Sequence, residues 1–260
     1  MRILLKNIFL DIHNTNSALE TCQHFLHLGR CNCIFFVNAH CFNIAQKNTQ
    51  YRKALNQGNL ILNDGVGIKI AASILNIPLK ENMNGTDFIP KLLDFSQQQK
   101  QSVFLLGGKP GIAEKVQSEI QKNNPDIRVS GTHHGYFTAS ETQEIISKIN
   151  QSKATVLIVG MGVPRQEIWL YTYSGKLQHI KIAVAGGAIL DFLSGNFKRA
   201  PRWIRKIGLE WFFRFSLEPK RLFTRYFIGN IIFLTTILLY KIKKILSLQK
   251  TKNHQTNNFN

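Results

Sequence analysis

Leu60-Ile61-Leu62-Asn63-Asp64-Gly65-Val66-Gly67 is an apolar run that closes on one carboxylate and two glycines. An apolar segment of strand length ending in an acid is how α/β proteins present a reactive group to a ligand. The same residues read equally well as a helix start, because Asp is a good N-cap and the apolar series Ile68, Ile70, Ala71, Ala72, Ile74 and Leu75 follows. Within this stretch the two readings stand level, and the rest of the chain has to separate them.

Further apolar runs of strand length occur at Ile34 to Val37, Val103 to Leu106, Val156 to Val159 and Ile180 to Val184. Helix-like stretches cover Ser17 to Leu28, Phe42 to Asn56, Thr86 to Gln99, Gly111 to Lys122, Ser140 to Asn150 and Pro164 to Gly175. This alternation predicts an α/β fold, a Rossmann-like, mostly parallel sheet with helices on both faces. The N-terminal run Met1 to Leu10 carries Lys6 and lacks a small-residue cleavage site, so it reads as a first strand and not a signal peptide.

The chain has 260 residues, 44% hydrophobic, enough for one core plus an appendage. Cys22, Cys31, Cys33 and Cys41 form no C-x-x-C pair, which suggests neither zinc nor a disulfide framework and fits a reducing compartment. Of the net charge of +18, the smaller part lies in residues 1–197, with 19 basic against 13 acidic residues; residues 198–260 hold 14 against 2. Such an excess suits nucleic acid, an anionic membrane or a phosphorylated substrate. The expected organisation is an α/β domain over 1–197, a helical basic-aromatic appendage over 198–248, and a polar, disordered tail over 249–260.

Three strands run into glycine: Gly107-Gly108 after Leu106, Gly160-Met161-Gly162 after Val159, and Gly186-Gly187 after Val184 with Ala185 between. Glycines at strand ends admit backbone amides to a phosphate, which favours a nucleotide or nucleotide-sugar. No G-x-x-x-x-G-K-[ST] and no complete G-x-G-x-x-G is present, which disfavours ATP and NAD. There is no D-x-D pair and no metal-ligand spacing among the histidines, so neither metal nor cofactor is expected. His133-His134 reads as a loop or strand-end pair.

Five ordered motifs, Asn38-Ala39-His40-Cys41-Phe42-Asn43, Asn63-Asp64-Gly65-Val66-Gly67, Asn84-Gly85-Thr86-Asp87, Gly160-Met161-Gly162-Val163-Pro164-Arg165-Gln166-Glu167 and Gly186-Gly187-Ala188-Ile189-Leu190-Asp191-Phe192, resemble the WecG/TagA/CpsF glycosyltransferases. Arg199-Ala200-Pro201, Gly208 to Arg214 and Glu218 to Tyr226 are similar to that family's C-terminal signature. The resemblance implies an inverting, metal-independent transfer from a UDP-sugar, N-acetylmannosamine or its uronic acid in the best-known branches. The acceptor it implies is a polyprenyl-diphosphate-linked sugar, at the cytoplasmic face of the bacterial plasma membrane, in teichoic acid or surface polysaccharide synthesis. By the same resemblance Asp64 is the base that deprotonates the acceptor hydroxyl. Asn38, Gly107, Gly108, Gly162, Gln166, Gly187 and Asp191 then fall at donor positions.

The chain departs from the best-known branches at Phe36, where they carry a threonine; Asn38 and Asn43 are left to supply polar contacts to the donor sugar. Thr86-Asp87 serves either as sugar contact or as helix cap. Between Lys198 and Arg225, nine basic residues interleave with Trp203, Trp211, Phe212, Phe213, Phe215 and Phe223, as suits a helix in the membrane interface. The apolar run Tyr226 to Tyr240 falls short of the roughly 20 residues of a spanning helix. Arg214, Arg221 and Arg225 are candidates for the acceptor diphosphate or the membrane surface. Without a nucleic-acid motif, nucleic acid is not an expected partner; a homo-oligomer is left open. The competing reading is a non-catalytic nucleotide-sugar or polyanion-binding protein of the same fold.

Overall fold

Residues of the inner strands divide by parity between two cores, one on each side of the sheet. Phe35, Val37, Leu106, Leu157, Val159 and Ala183 face one side; Ile34, Phe36, Leu105, Val156, Ile158 and Val184 face the other. A strand buried on both faces needs this near-continuous apolar run, and parallel sheets are the usual setting for it. The computed structural model describes residues 1–196, 199–206 and 209–257. Its strands are β1 Arg2–Leu5, β2 Ile8–Asp11, β3 Asn32–Val37, β4 Leu60–Asn63, β5 Val103–Gly107, β6 Val129–His133, β7 Val156–Gly160 and β8 Ile182–Ala185. The six from β3 to β8 form one parallel sheet in the order β4-β3-β8-β7-β5-β6.

The helices are α1 Thr15–His27, α2 Ala39–Lys47, α3 Thr49–Asn56, α4 Gly65–Ile74, α5 Gly85–Gln98, α6 Ile112–Asn123, α7 Thr142–Gln151, α8 Arg165–Tyr173, α9 Ile189–Leu193, α10 Arg202–Lys206, α11 Glu210–Leu217, α12 Pro219–Phe223 and α13 Gly229–Asn257. α2, α3, α4, α7 and α8 bury residues in the first core, α1, α5, α6 and α9 in the second. The predicted Rossmann-like fold is therefore present, with several local corrections. The helix expected over Phe42 to Asn56 breaks at Asn48, which ends α2 and whose Oδ1 caps α3 by accepting from Tyr51 N at 2.9 Å. β6, Val-Ser-Gly-Thr-His, has no apolar run to announce it because it is a half-buried strand at the end of the sheet. The polar tail expected to be disordered continues α13 as far as Asn257, and 258–260 lie outside the described residues.

The N-terminus is a hairpin and not one strand: Lys6 takes a left-handed φ of 59° and β1 pairs antiparallel with β2. Arg2 locks it with a bidentate pair to Asp11, Nε to Oδ1 at 2.9 Å and NH2 to Oδ2 at 2.7 Å. Asp11 Oδ2 also accepts from Ile61 N at 2.8 Å, tying the hairpin to β4, the strand that leads into Asp64. Asp11→Ala leaves that buried amide unpaired. Because the Arg2 side chain is 38% exposed, most of the expected loss, about 2 kcal/mol, comes from the amide. An unchanged urea midpoint would refute this.

Candidate active site

The carboxyl ends of β3, β4, β7 and β8 open into one cleft of about 840 Å³, roofed by α11 and the start of α13. Ligands of open α/β sheets bind at this edge, and the volume suits a small-molecule site. Asn38, Asp64, Gly162, Gln166, Gly187, Arg214 and Arg225 all line it, although they lie as far apart in sequence as 38 and 225.

Asp64 resolves the two readings of its segment. It occupies the N-cap position of α4, yet its side chain caps nothing. Asn82 Oδ1 accepts from Gly65 N, the first amide of α4, at 2.7 Å, and the Asp64 carboxylate lines the cleft. Asn38 donates from Nδ2 to Asp64 Oδ2 at 3.0 Å while its own Oδ1 caps α2 by accepting from Cys41 N. The Asn38 amide thus holds the acid in place. Burial raises the Asp64 pKa, with Asp87 acting in the same direction. The Asn38 hydrogen bond and the positive charges of Arg225 and Arg214 oppose the shift.

Gln166, read as a donor contact, lines the cleft and makes three side-chain hydrogen bonds within the protein. Its Oε1 accepts from Gly162 N at 3.2 Å and from Gly187 N at 3.0 Å, and its Nε2 donates to Glu167 Oε1 at 2.8 Å. The two glycine amides are thereby directed at Gln166 and not at a phosphate. Gly107 and Gly108 fall outside the cleft lining, and glycine is required at each for a steric reason. A Cβ on Gly107 would come within 2.4 Å of the Gly160 carbonyl oxygen, and one on Gly108 within 2.6 Å of Ile112. Asp191 lies on α9, also outside the lining, and accepts from Ser194 Oγ through its backbone carbonyl.

Asn43 donates to Gly229 O at 2.7 Å, joining α2 to the start of α13 instead of facing a sugar. Asn84 caps α5, and Asp87 is held by Arg199 and Arg205, so Thr86-Asp87 is neither the cap nor an unpaired acid. Phe36 lines the cleft and meets Phe88 edge-on at 6.1 Å, giving an apolar wall. His133 ends β6 as expected, and neither His133 nor His134 lines the cleft.

From the C-terminal segment come Arg214, stacked 4.9 Å above the Phe192 ring, and Arg225, whose buried Nε has no acceptor among the described residues. Arg221 lies on α12, and its side chain is outside the described residues. Sequence reasoning gave no role to Asn82, His40, Arg205 or Glu167, all of which line the cleft. Burial, followed by the charge of Arg225, depresses His40 to about 4, so it is neutral at physiological pH. Glu167 is 1% exposed, and burial pushes its carboxyl up to about 7 against the hydrogen bonds from Gln166 and the backbone. Among the described residues, no three His, Cys, Asp or Glu side chains converge as a metal site.

The sequence model of the Glycosyl transferase WecG/TagA/CpsF family matches residues 3–246. A relative from Staphylococcus aureus (strain MRSA252) is 30% identical over 239 residues, covering 90% of each chain. It is named N-acetylglucosaminyldiphosphoundecaprenol N-acetyl-beta-D-mannosaminyltransferase. The protein of the same name from strain NCTC 8325 / PS 47 shows the same identity and coverage.

Proposed function

The chain belongs to the WecG/TagA/CpsF glycosyl transferase family, and from that premise we propose that it transfers N-acetylmannosamine or a related hexose from a UDP-sugar to a polyprenyl-diphosphate-linked saccharide. The observation that carries this reading is Asp64, an acid that makes no capping bond to its own helix and lines a cleft shared with Arg214 and Arg225. In the proposed step the Asp64 carboxylate takes the acceptor hydroxyl proton as that oxygen attacks the anomeric carbon. The bond to UDP breaks on the opposite face, inverting the centre. Arg214 and Arg225 supply positive charge for the acceptor diphosphate; no metal or cofactor is assigned a part.

The exposed apolar side of α13 supports a peripheral position on a membrane, and the basic excess of the C-terminal segment suits an anionic one; the cytoplasmic face is part of the same proposal. Ile231, Leu238, Ile242 and Ile245 recur at helical spacing on its outer side, while Phe233 and Ile237 are completely buried against the domain. The stretch Thr224–Ser247 is long and apolar enough to span a bilayer. Its packing on α2 and α4 favours lying along the surface, since a helix whose centre is clamped to the domain cannot also cross the bilayer.

A panel of UDP-sugars offered with polyprenyl-diphosphate-N-acetylglucosamine, read by product mass, tests the proposal. One UDP-N-acetylhexosamine is expected to give a product heavier by one residue. UDP binding without transfer from any donor would leave a non-catalytic binding protein.

A further inference from the structure

Gln166 has three hydrogen-bonding tasks, and only one orientation of its amide satisfies them. With Oε1 toward Gly162 N and Gly187 N and Nε2 toward Glu167 Oε1, two donors meet one acceptor and one donor meets another acceptor. Rotated by half a turn, the NH2 would confront two backbone N–H groups and the carbonyl would confront a carboxyl oxygen. Gln166 is 2% exposed and Glu167 1%, so water cannot repair the reversed arrangement. The loops it joins are those that end β7 and β8. Gly162 and Gly187 adopt left-handed φ of 79° and 61°, and a Cβ on either would meet nothing within 4 Å, so side-chain packing does not fix their conformation.

We propose that Glu167 is a positioning residue of the transfer site: by fixing the Gln166 amide it ties the Gly162 and Gly187 loops at a single oxygen and sets the spacing of the cleft floor. The proposal rests on the transferase reading for its effect on catalysis, but the tie itself is a property of the protein without substrate. Because the arrangement depends on donor and acceptor order, exchanging the two side-chain types restores it. In Q166E/E167Q the carboxylate at 166 accepts from both glycine amides and from the new amide at 167.

The test compares E167A, Q166E and Q166E/E167Q. E167A leaves the Gln166 NH2 buried without an acceptor, and Q166E sets two acceptors face to face. Each is expected to raise the KM for the UDP-sugar roughly tenfold, with kcat changing less. Amide hydrogen exchange in peptides covering 160–166 and 185–190 is expected to quicken in both. The swapped protein is expected to recover wild-type exchange and most of the KM. A swapped protein as impaired as Q166E would overturn the proposal. So would restored exchange without restored transfer, which would make the Gln166 amide a direct substrate contact. If Q166E does not fold, E167A against the swap gives the same decision. Wild-type protein that transfers no sugar would sink the transferase reading alone, since exchange reports the tie without substrate.

Discussion

Asp64→Asn is expected to lower the rate of sugar transfer by about 10² to 10⁴-fold while UDP affinity stays within about threefold of wild type. The substitution is nearly isosteric, and an asparagine oxygen can still accept from Asn38 Nδ2, so the loss isolates the proton-accepting function. Transfer needs the carboxylate form. Because burial raises the pKa of Asp64, the rate falls on acidification at a pH above the ordinary Asp value of about 3.9. Arg225→Ala removes a charge that favours the ionised form and is expected to move that acid limb higher still. The stability effect has its own sign. A group whose pKa is raised on folding contributes stability below its unfolded pKa and loses it as pH rises through the folded value. At neutral pH and above, ionised Asp64 is therefore a net cost, and Asp64→Asn is expected to leave Tm unchanged or raise it. Undiminished transfer rejects the base assignment. Loss of activity with a Tm lowered by several degrees makes the residue structural.

The split between what the sequence disclosed and what it hid follows from the range of the interactions. Strands β3, β4, β5, β7 and β8 were legible because double-sided burial demands uninterrupted apolar runs, and β6 was not, because all five of its residues are only partly buried. The position of Asp64 was visible, but its freedom was not. Nor was the folding back of the segment before α5, where Met83 N donates to Asn63 O at 3.0 Å and Asn63 Nδ2 to Glu81 O at 2.8 Å, bringing Asn82 to Gly65. No local pattern announces a hydrogen bond to the helix start from 17 residues away. The glycines show the converse. Gly107 pairs in register with Gly160 on the neighbouring strand, so its missing side chain answers a close approach between backbones, a reason that spacing along one chain cannot reveal. Gln166 was found by its place in a motif, but its bonds to the Gly162 and Gly187 amides were not, since both glycine loops that engage it are defined only once β7 and β8 lie side by side.

Leu238→Glu/Ile242→Glu on the outer side of α13 is expected to release the protein from anionic vesicles, lowering its partition by at least about 100-fold. Burying each side chain in the interface is worth roughly 1.5 to 3 kcal/mol, and two new carboxylates oppose the attraction of basic residues, each worth about 1 kcal/mol near such a surface. Both residues are exposed, so the fold should tolerate the change, and transfer to a short-chain, water-soluble acceptor should persist. Arg225→Ala is expected to behave in the opposite way, keeping vesicle binding and raising the KM for the diphosphate acceptor whether or not a membrane is present, because Arg225 faces the cleft. Removing all of 198–260 is a poorer experiment. It strips Phe233 and Ile237 from the core and exposes Phe42, whose ring meets Phe233 edge-on at 5.0 Å; losing one buried aromatic alone costs about 3 to 5 kcal/mol. Activity lost on such a deletion would follow from an opened core as readily as from a lost membrane contact. The outer-side variant separates the two, because it changes only what the helix shows to the bilayer. Unchanged sedimentation of Leu238→Glu/Ile242→Glu with vesicles would sink the interfacial assignment and place the membrane contact elsewhere on the basic segment.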